Sequence, residues 1–238
     1  MLNEDDFKEL AHKGLEASSE EGEDSSADED QGSIPGSPFI LFKLSKNGPT
    51  YYIYKAIVLQ RRELLDRSFN VMLNIDDLGL RISKLAPSKW AIVLVRSGRV
   101  AAGIFENTKG GLLVSKTFKR YTTRRKQGGS QLSRDSANGG KIKSAGAAIR
   151  RMNEAHLVED VQGLLKHWSG HLSECSLIFW NPTTAGRLCL FAESHNGFTQ
   201  DDPRLRSFPF TTYKPSLEEL NRCYNLLSQV SIMPPEHK

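Results

Sequence analysis

Three features of the chain predict an α/β fold, a mixed open β-sheet with packed helices. WAIVLVRSGRVAAGIF (Trp90 to Phe105) reads as two apolar strands around Ser97-Gly98, and GLLVSKTF (Gly111 to Phe118) follows as a third after the turn-prone Asn107 to Gly110. Further on, Ala148, Met152, Ala155, Val158, Val161, Leu165 and Trp168 recur at steps of three or four, which is the apolar stripe of one long helix. Ser216 and Glu219 have capping-box spacing ahead of a last helix that turns Leu220, Tyr224 and Leu227 to the core. Strands with helices packed against them give a layered α/β sandwich.

The remaining segments complete that layout. PFILFKL (Pro38 to Leu44) and TYYIYKAIVL (Thr50 to Leu59), joined by Ser45 to Pro49, read as a hairpin. CSLIFW (Cys175 to Trp180) and RLCLFA (Arg187 to Ala192) are compact apolar runs of strand length, with Asn181-Pro182 breaking the chain between them. Three regions follow: an acidic, disordered tail over 1–36, an N-terminal hairpin and connecting segment over 37–86, and the main domain over 87–232.

Charge separates the tail from the rest. Residues 1–32 hold twelve Asp or Glu and two Lys, a net of −10, while the other residues hold thirty basic and sixteen acidic groups, a net of +14. EASSEEGEDSSADEDQG (Glu16 to Gly32) has almost no apolar residues to bury and is expected to be disordered, either as an autoinhibitory or phosphorylatable tail or as a solvated spacer. Cys175, Cys189 and Cys223 show no paired spacing, so they read as small core residues in a reducing compartment. His167 and His171 are too few to make a zinc site, and no metal or cofactor is expected. The start lacks the features of a signal peptide, and no apolar run is long enough to cross a membrane. The chain reads as soluble and cytoplasmic.

The residues from Ser115 to Arg151 hold eleven Lys or Arg against one acid, Asp135. A segment this basic and this rich in Gly, Ser and Asn stays solvated unless phosphates neutralise it. By charge alone it is either a nucleic-acid contact or a surface loop that attracts polyanions without specificity. Lys119, Arg120, Arg124, Arg125, Lys126, Arg150 and Arg151 are its candidate phosphate-binding residues. Gly128 and Gly129 let the main chain pass close to a substrate where a Cβ would collide.

The string KQGGSQ (Lys126 to Gln131) resembles the Gly-Gly-Gln loop of class I peptide-chain release factors of eukaryotes and archaea, with Ser130 interposed. Within the longer strings YTTRRKQGGSQ (Tyr121 to Gln131) and KSAGAAIRRMNEAHLVEDV (Lys143 to Val161), it resembles the release-factor-like (VLRF) domain of the ankyrin-repeat and zinc-finger peptidyl-tRNA hydrolase family, the Vms-type ribosome quality-control factors. The resemblance runs from about Phe39 to Ile232. It implies a sheet like the release-factor middle domain, with the Gly-Gly-Ser-Gln loop, Gly128 to Gln131, protruding from one end. The extra Ser130 and the lack of a stop-codon-reading domain argue against codon-dependent termination. Family members carry a zinc finger, ankyrin repeats, a coiled coil and a segment for the p97 segregase outside this region, so the chain reads as an excised catalytic domain.

The same resemblance implies the chemistry. Family members act on peptidyl-tRNA left on large ribosomal subunits after stalling, cut the tRNA strand near its 3′ CCA end, and also associate with mitochondria under stress. Gln131 has no titratable proton near neutral pH, so it can position reacting groups but cannot act as a general base. Arg124, Arg125 and Lys126 suit the charge of a phosphorane-like transition state. Residues 106–155 contain no histidine, and His156 and His195 are the nearest in sequence. Catalysis completed by the ribosome or by the substrate's own 2′-hydroxyl is therefore favoured. The expected function is a peptidyl-tRNA hydrolase or tRNA endonuclease. The alternative is a noncatalytic module that docks on the large subunit, or an adaptor for the p97 segregase. Asn153 and Glu154 are assigned a loop-supporting role.

Overall fold

A computed structural model describes residues 37–44, 48–65, 75–85, 87–108, 111–122, 145–192 and 199–233. The central layer is a five-stranded mixed sheet built from β3 (Lys89–Arg96), β4 (Arg99–Glu106), β5 (Gly111–Lys119), β6 (Cys175–Trp180) and β7 (Leu205–Ser207), in the order β5-β4-β3-β6-β7. The meander β3-β4-β5 is antiparallel, and β6 and β7 add in parallel. Strands β3 and β4 are buried along six consecutive residues each, because both faces of the sheet are covered.

Alternation along β3 supplies two cores. Trp90, Ile92 and Leu94 face one side and Ala91, Val93 and Val95 the other. The second side is covered by the long helix α4 (Ala145–His167), by α5 (Ser169–Ser173) and by α6 (Thr184–Phe191), through Leu157, Val161, Leu165, Leu172 and Leu190. The first side is covered by α1 (Lys55–Val58), by Leu78 of α3 (Ile75–Leu85) and by α7 (Leu217–Ser228). It also receives a three-stranded sheet of β1 (Phe39–Lys43), β2 (Thr50–Tyr54) and β8 (Ser231–Met233), in the order β1-β2-β8. The C-terminal strand thus closes the sheet that the N-terminal hairpin begins. One further short helix, α2 (Arg61–Leu65), precedes α3.

Several expectations are met in detail. The β3-β4 turn, Ser97-Gly98, has φ of 49° and 73°, the double positive φ of a tight hairpin turn. Ser216 caps α7 by accepting from the Glu219 N–H at 3.2 Å, and Leu220, Tyr224 and Leu227 are buried. Only half of the capping box forms, since the Glu219 carboxylate accepts instead from the Tyr213 N–H and from Arg222. All three cysteines are buried and free. Burial pushes the Cys175 and Cys189 thiols up to about 11 and that of Cys223 to about 12.

Three readings are corrected. The second hairpin strand stops at Tyr54, and Lys55–Val58 is helical with Ala56, Ile57 and Val58 all buried. Residues 187–191 belong to α6 and form no strand: the Thr183 hydroxyl caps the helix by accepting from Gly186 N–H at 3.0 Å, and Gly186, Cys189 and Leu190 share its buried side. A short apolar run fits a buried helix as well as a strand, and burial on one side decides it. The stripe on α4 also differs, since Ala148, Met152 and Ala155 are exposed and the buried side begins at Leu157. At 3.6 residues per turn these three lie on the side of α4 opposite Leu157 and Leu164, so they face away from the sheet.

The tail, residues 1–36, lies outside the described residues.

Candidate nucleic-acid interface

The basic segment leaves β5 and returns as α4, and the described residues at its two ends are pinned together. The Arg120 guanidinium donates to both carboxylate oxygens of Asp160 on α4, at 2.6 and 3.0 Å. Hydrogen bonding to Asp160 raises the pKa of Arg120 further, so its charge is fixed. Asn153, also on α4, donates from Nδ2 to the Tyr121 carbonyl at 2.9 Å. The Arg120 N–H donates to the Gly98 carbonyl at 2.8 Å, docking the end of β5 on the β3-β4 turn. That docking is so close that a Cβ on Gly98 would collide with the Arg120 carbonyl and the Thr122 hydroxyl, in addition to the strain of its positive φ.

These contacts give the sequence-predicted residues different settings. Lys119 is exposed at the end of β5. Arg120 is committed to Asp160 and serves the stem. Arg150 is half-buried on the second turn of α4; Arg151 is exposed, its Nε 3.5 Å from the Ala147 carbonyl. His156 is half-buried on the same helix. Arg124, Arg125, Lys126, Gly128, Gly129, Ser130 and Gln131 lie outside the described residues, as does His195. The loop-supporting role expected of Asn153 has a physical basis in its bond to Tyr121. Asp160 was not singled out from the sequence, although it lies seven residues, two helical turns, beyond Asn153 on the same side of α4.

Around the stem, Tyr121, Ile149 and Met152 are exposed large side chains, at 48%, 48% and 52%. Exposed aromatic and apolar side chains among Lys119, Arg150 and Arg151 suit stacking on unpaired bases beside phosphate contacts. Among the described residues no three His, Cys, Asp or Glu side chains converge to hold a metal ion, and no helix is long and apolar enough to cross a membrane.

A family model described as Bacteroidetes VLRF1 release factor matches residues 90–234, from β3 to the end of β8. The chain belongs to this VLRF1 release-factor family. Relatives support the placement. A Caenorhabditis elegans protein named tRNA endonuclease vms-1 is 38% identical over 167 residues, which is 68% of this chain and 26% of that protein. A Schizosaccharomyces pombe protein named tRNA endonuclease vms1 is 35% identical over 240 residues, 94% of this chain and 38% of that protein. This VLRF1-family chain therefore spans between about a quarter and two fifths of the length of these relatives. A solved structure titled Vms1 mitochondrial localization core superposes with a TM-score of 0.56 at 26% identity, covering 84% of this chain and 78% of that one.

Proposed function

We propose that this VLRF1-family chain is the catalytic part of a tRNA endonuclease acting on peptidyl-tRNA held by large ribosomal subunits, and that it cuts the tRNA near its 3′ CCA end. The observation that carries this reading is that relatives named tRNA endonucleases match as much as 94% of the chain, a span wide enough to include both the pinned stem and the Gly-Gly-Ser-Gln segment.

The chemistry assigned to the segment follows from its residue types. A tRNA 2′-hydroxyl attacks the adjacent phosphorus, the bond to the 5′ oxygen breaks, and the products are a 2′,3′-cyclic phosphate and a 5′-hydroxyl. The proton lost by the 2′-hydroxyl is balanced by one gained by the leaving oxygen. Gln131 positions the reacting groups, and Gly128, Gly129 and Ser130 bring the main chain close. Arg124, Arg125 and Lys126 stabilise the charge that builds on the phosphorane oxygens. Lys119, Arg150 and Arg151 hold backbone phosphates on either side of the stem. Arg120, held by Asp160, orients the segment. The large subunit and tRNA are the partners, the p97 segregase is a further partner through sequence outside this span, and the cytoplasm is the site of action.

Incubating the chain with stalled large subunits that carry peptidyl-tRNA tests the reading. On a denaturing gel, shortened tRNA ending in a cyclic phosphate supports it. Deacylated tRNA of full length assigns the chain as an esterase, and unchanged peptidyl-tRNA assigns it as a docking module only.

A further inference from the structure

Three cations stand side by side across the loop end of the central sheet. Arg96 is the cross-strand partner of Arg99, and Arg99 is the partner of Lys119. Paired residues project from the same face, so all three side chains leave the side that also carries Trp90, Ile92, Leu94 and Ala101 beneath α7. That side is opposite α4. Like charges directly opposite one another on neighbouring strands destabilise a sheet. Protection of a sheet edge explains Lys119 on β5 but not the two arginines, because β3 and β4 are interior strands. Among the described residues no carboxylate forms an ion pair with any of the three.

The two arginines have a pocket between them and the start of α7. Arg96, Ser97, Arg99, Lys214 and Pro215 line an open pocket of about 200 Å³. Arg96 has one long contact there, from Nη1 to the Thr212 carbonyl at 3.4 Å. The carboxylate facing Lys214 is Glu218, held below its usual range by its own backbone N–H, by the Ser216 hydroxyl and by Lys214. Four cations against one carboxylate leave a local charge of +3. A site this small falls below the roughly 300–1,000 Å³ of a typical small-molecule site. An open, cationic pocket suits one phosphate of a chain that continues outside it, and guanidinium groups grip phosphate through two parallel N–H bonds.

We propose that Arg96, Arg99 and Lys214, with Lys119 beside them, form a second phosphate-binding subsite for the RNA backbone, on the sheet face opposite the helix that carries Arg150 and Arg151. The pocket and the root of the basic segment share the Ser97-Gly98 turn, since Arg120 N–H bonds Gly98. RNA engaged on both faces would straddle the sheet end from which residues 123–144 depart. The subsite rests on the tRNA reading above and names where that RNA is held.

Binding of deacylated tRNA to the full chain, followed by fluorescence anisotropy across a salt series, tests the subsite without requiring cleavage. Arg96→Gln/Arg99→Gln is expected to weaken binding roughly tenfold per lost contact at 0.1 M salt and to reduce the salt slope by about one for each contact. Lys214→Ala, on an exposed residue outside any strand, repeats the test where folding is not at stake. Lys84→Ala/Lys166→Ala removes two charges at the other end of the sheet and is expected to leave the slope unchanged. Pocket variants that behave like this control overturn the subsite, even if the chain cuts tRNA. A lost slope in a chain that cuts nothing keeps the subsite and overturns the cleavage reading. Competition by a peptide of residues 16–32 that is abolished by the pocket variants, with tRNA binding intact, assigns the pocket to an acidic segment and overturns the proposal.

Discussion

Asn181 takes the place of a strand beside Val95. Its carboxamide accepts from the Val95 N–H at 2.8 Å and donates to the Val95 carbonyl at 2.7 Å. Strand β6 ends at Trp180, so both backbone groups of Val95 would otherwise lack a ladder partner. One side chain thereby keeps β3 in line up to Arg96 and the turn on which Arg120 docks. Asn181→Ala should destabilise the fold by about 1–3 kcal/mol. Asn181→Asp should cost more, because a carboxylate cannot donate to the Val95 carbonyl and instead faces it with negative charge. Urea midpoints measured near neutral pH check the order. An aspartate variant as stable as wild type would show that water replaces the bridge.

The Arg120–Asp160 pair is expected to matter more for cleavage than for folding. It is partly exposed and bridges β5 to α4 at the base of the basic segment. Releasing it misplaces the segment while leaving both cores intact, and a misplacement of about 1 Å can cost roughly a hundredfold in rate. Asp160→Asn and Arg120→Gln should each lower single-turnover cleavage ten- to a hundredfold, by the same reasoning, with little change in melting temperature. The double variant should be no worse than either single one, because both remove one interaction. Additive losses would mean that Arg120 also contacts RNA directly.

Much of this architecture is written locally. The β3-β4 hairpin is legible because Ser97-Gly98 interrupts two apolar runs, and α7 is legible because Ser216 and the Leu220, Tyr224 and Leu227 spacing agree. The run Arg187 to Ala192 reads as a strand because its five apolar or small residues after Arg187 fit either element, and the cap that decides it, Thr183, lies outside the run. The run of threes and fours from Ala148 to Trp168 drifts around α4, so Ala148, Met152 and Ala155 end on the side opposite Leu157 and Leu164. Long-range polar contacts leave no local pattern at all. Arg206, 6% exposed, donates to the carbonyls of Ala56 and Leu59, about 150 positions away, and burial pushes its guanidinium down to about 10. At the candidate site the Gly-Gly-Ser-Gln motif is a reading of sequence alone, outside the described residues, while the partner of Arg120 and the cation row of Arg96, Arg99 and Lys119 emerge only from strand register and packing.

Acid should unfold the protein through three ion-paired carboxylates, Asp202 and Glu219 buried and Glu63 half-buried. Glu63 is held below the usual range chiefly by the Arg81 hydrogen bonds. For Asp202 and Glu219 burial works to raise the pKa, and bonds from Arg204 and from Arg222 with Tyr213 N–H outweigh it. A lowered folded pKa gives stability that is present above the unfolded value and is lost as pH falls through the folded one. The loss should therefore set in below about pH 4. Urea midpoints at a series of pH values should fall there, and Glu219→Gln should be less stable near neutral pH but should flatten the decline. Midpoints flat down to the acid limit would show that these pairs contribute nothing.

Gln131→Ala should reduce tRNA cleavage on stalled large subunits by about a hundredfold or more, the scale on which removing one preorganised polar group acts. The melting temperature and subunit binding should change little, since a polar side chain in a segment this basic and rich in Gly and Ser has little apolar surface to bury. Wild-type cleavage by the variant would remove Gln131 from the mechanism and leave Arg124, Arg125 and Lys126 as its candidates.

Arg124 and Arg125 can be asked whether they only attract RNA or also stabilise the transition state. They lie seven and six positions before Gln131. Arg124→Lys and Arg125→Lys keep the charge but lose the planar fork that grips two phosphate oxygens at once. Simple attraction predicts nearly normal activity for both. A transition-state role predicts a fall in cleavage rate with subunit binding kept, because the fork acts on charge that appears only as the phosphorane forms. Single-turnover cleavage at saturating protein removes affinity from the comparison, and a fall of tenfold or more, about 1.4 kcal/mol, is the expected result. If both lysine variants match wild type under those conditions, the arginines recruit RNA and nothing more, and the phosphorane charge must be met by the ribosome or by Lys126.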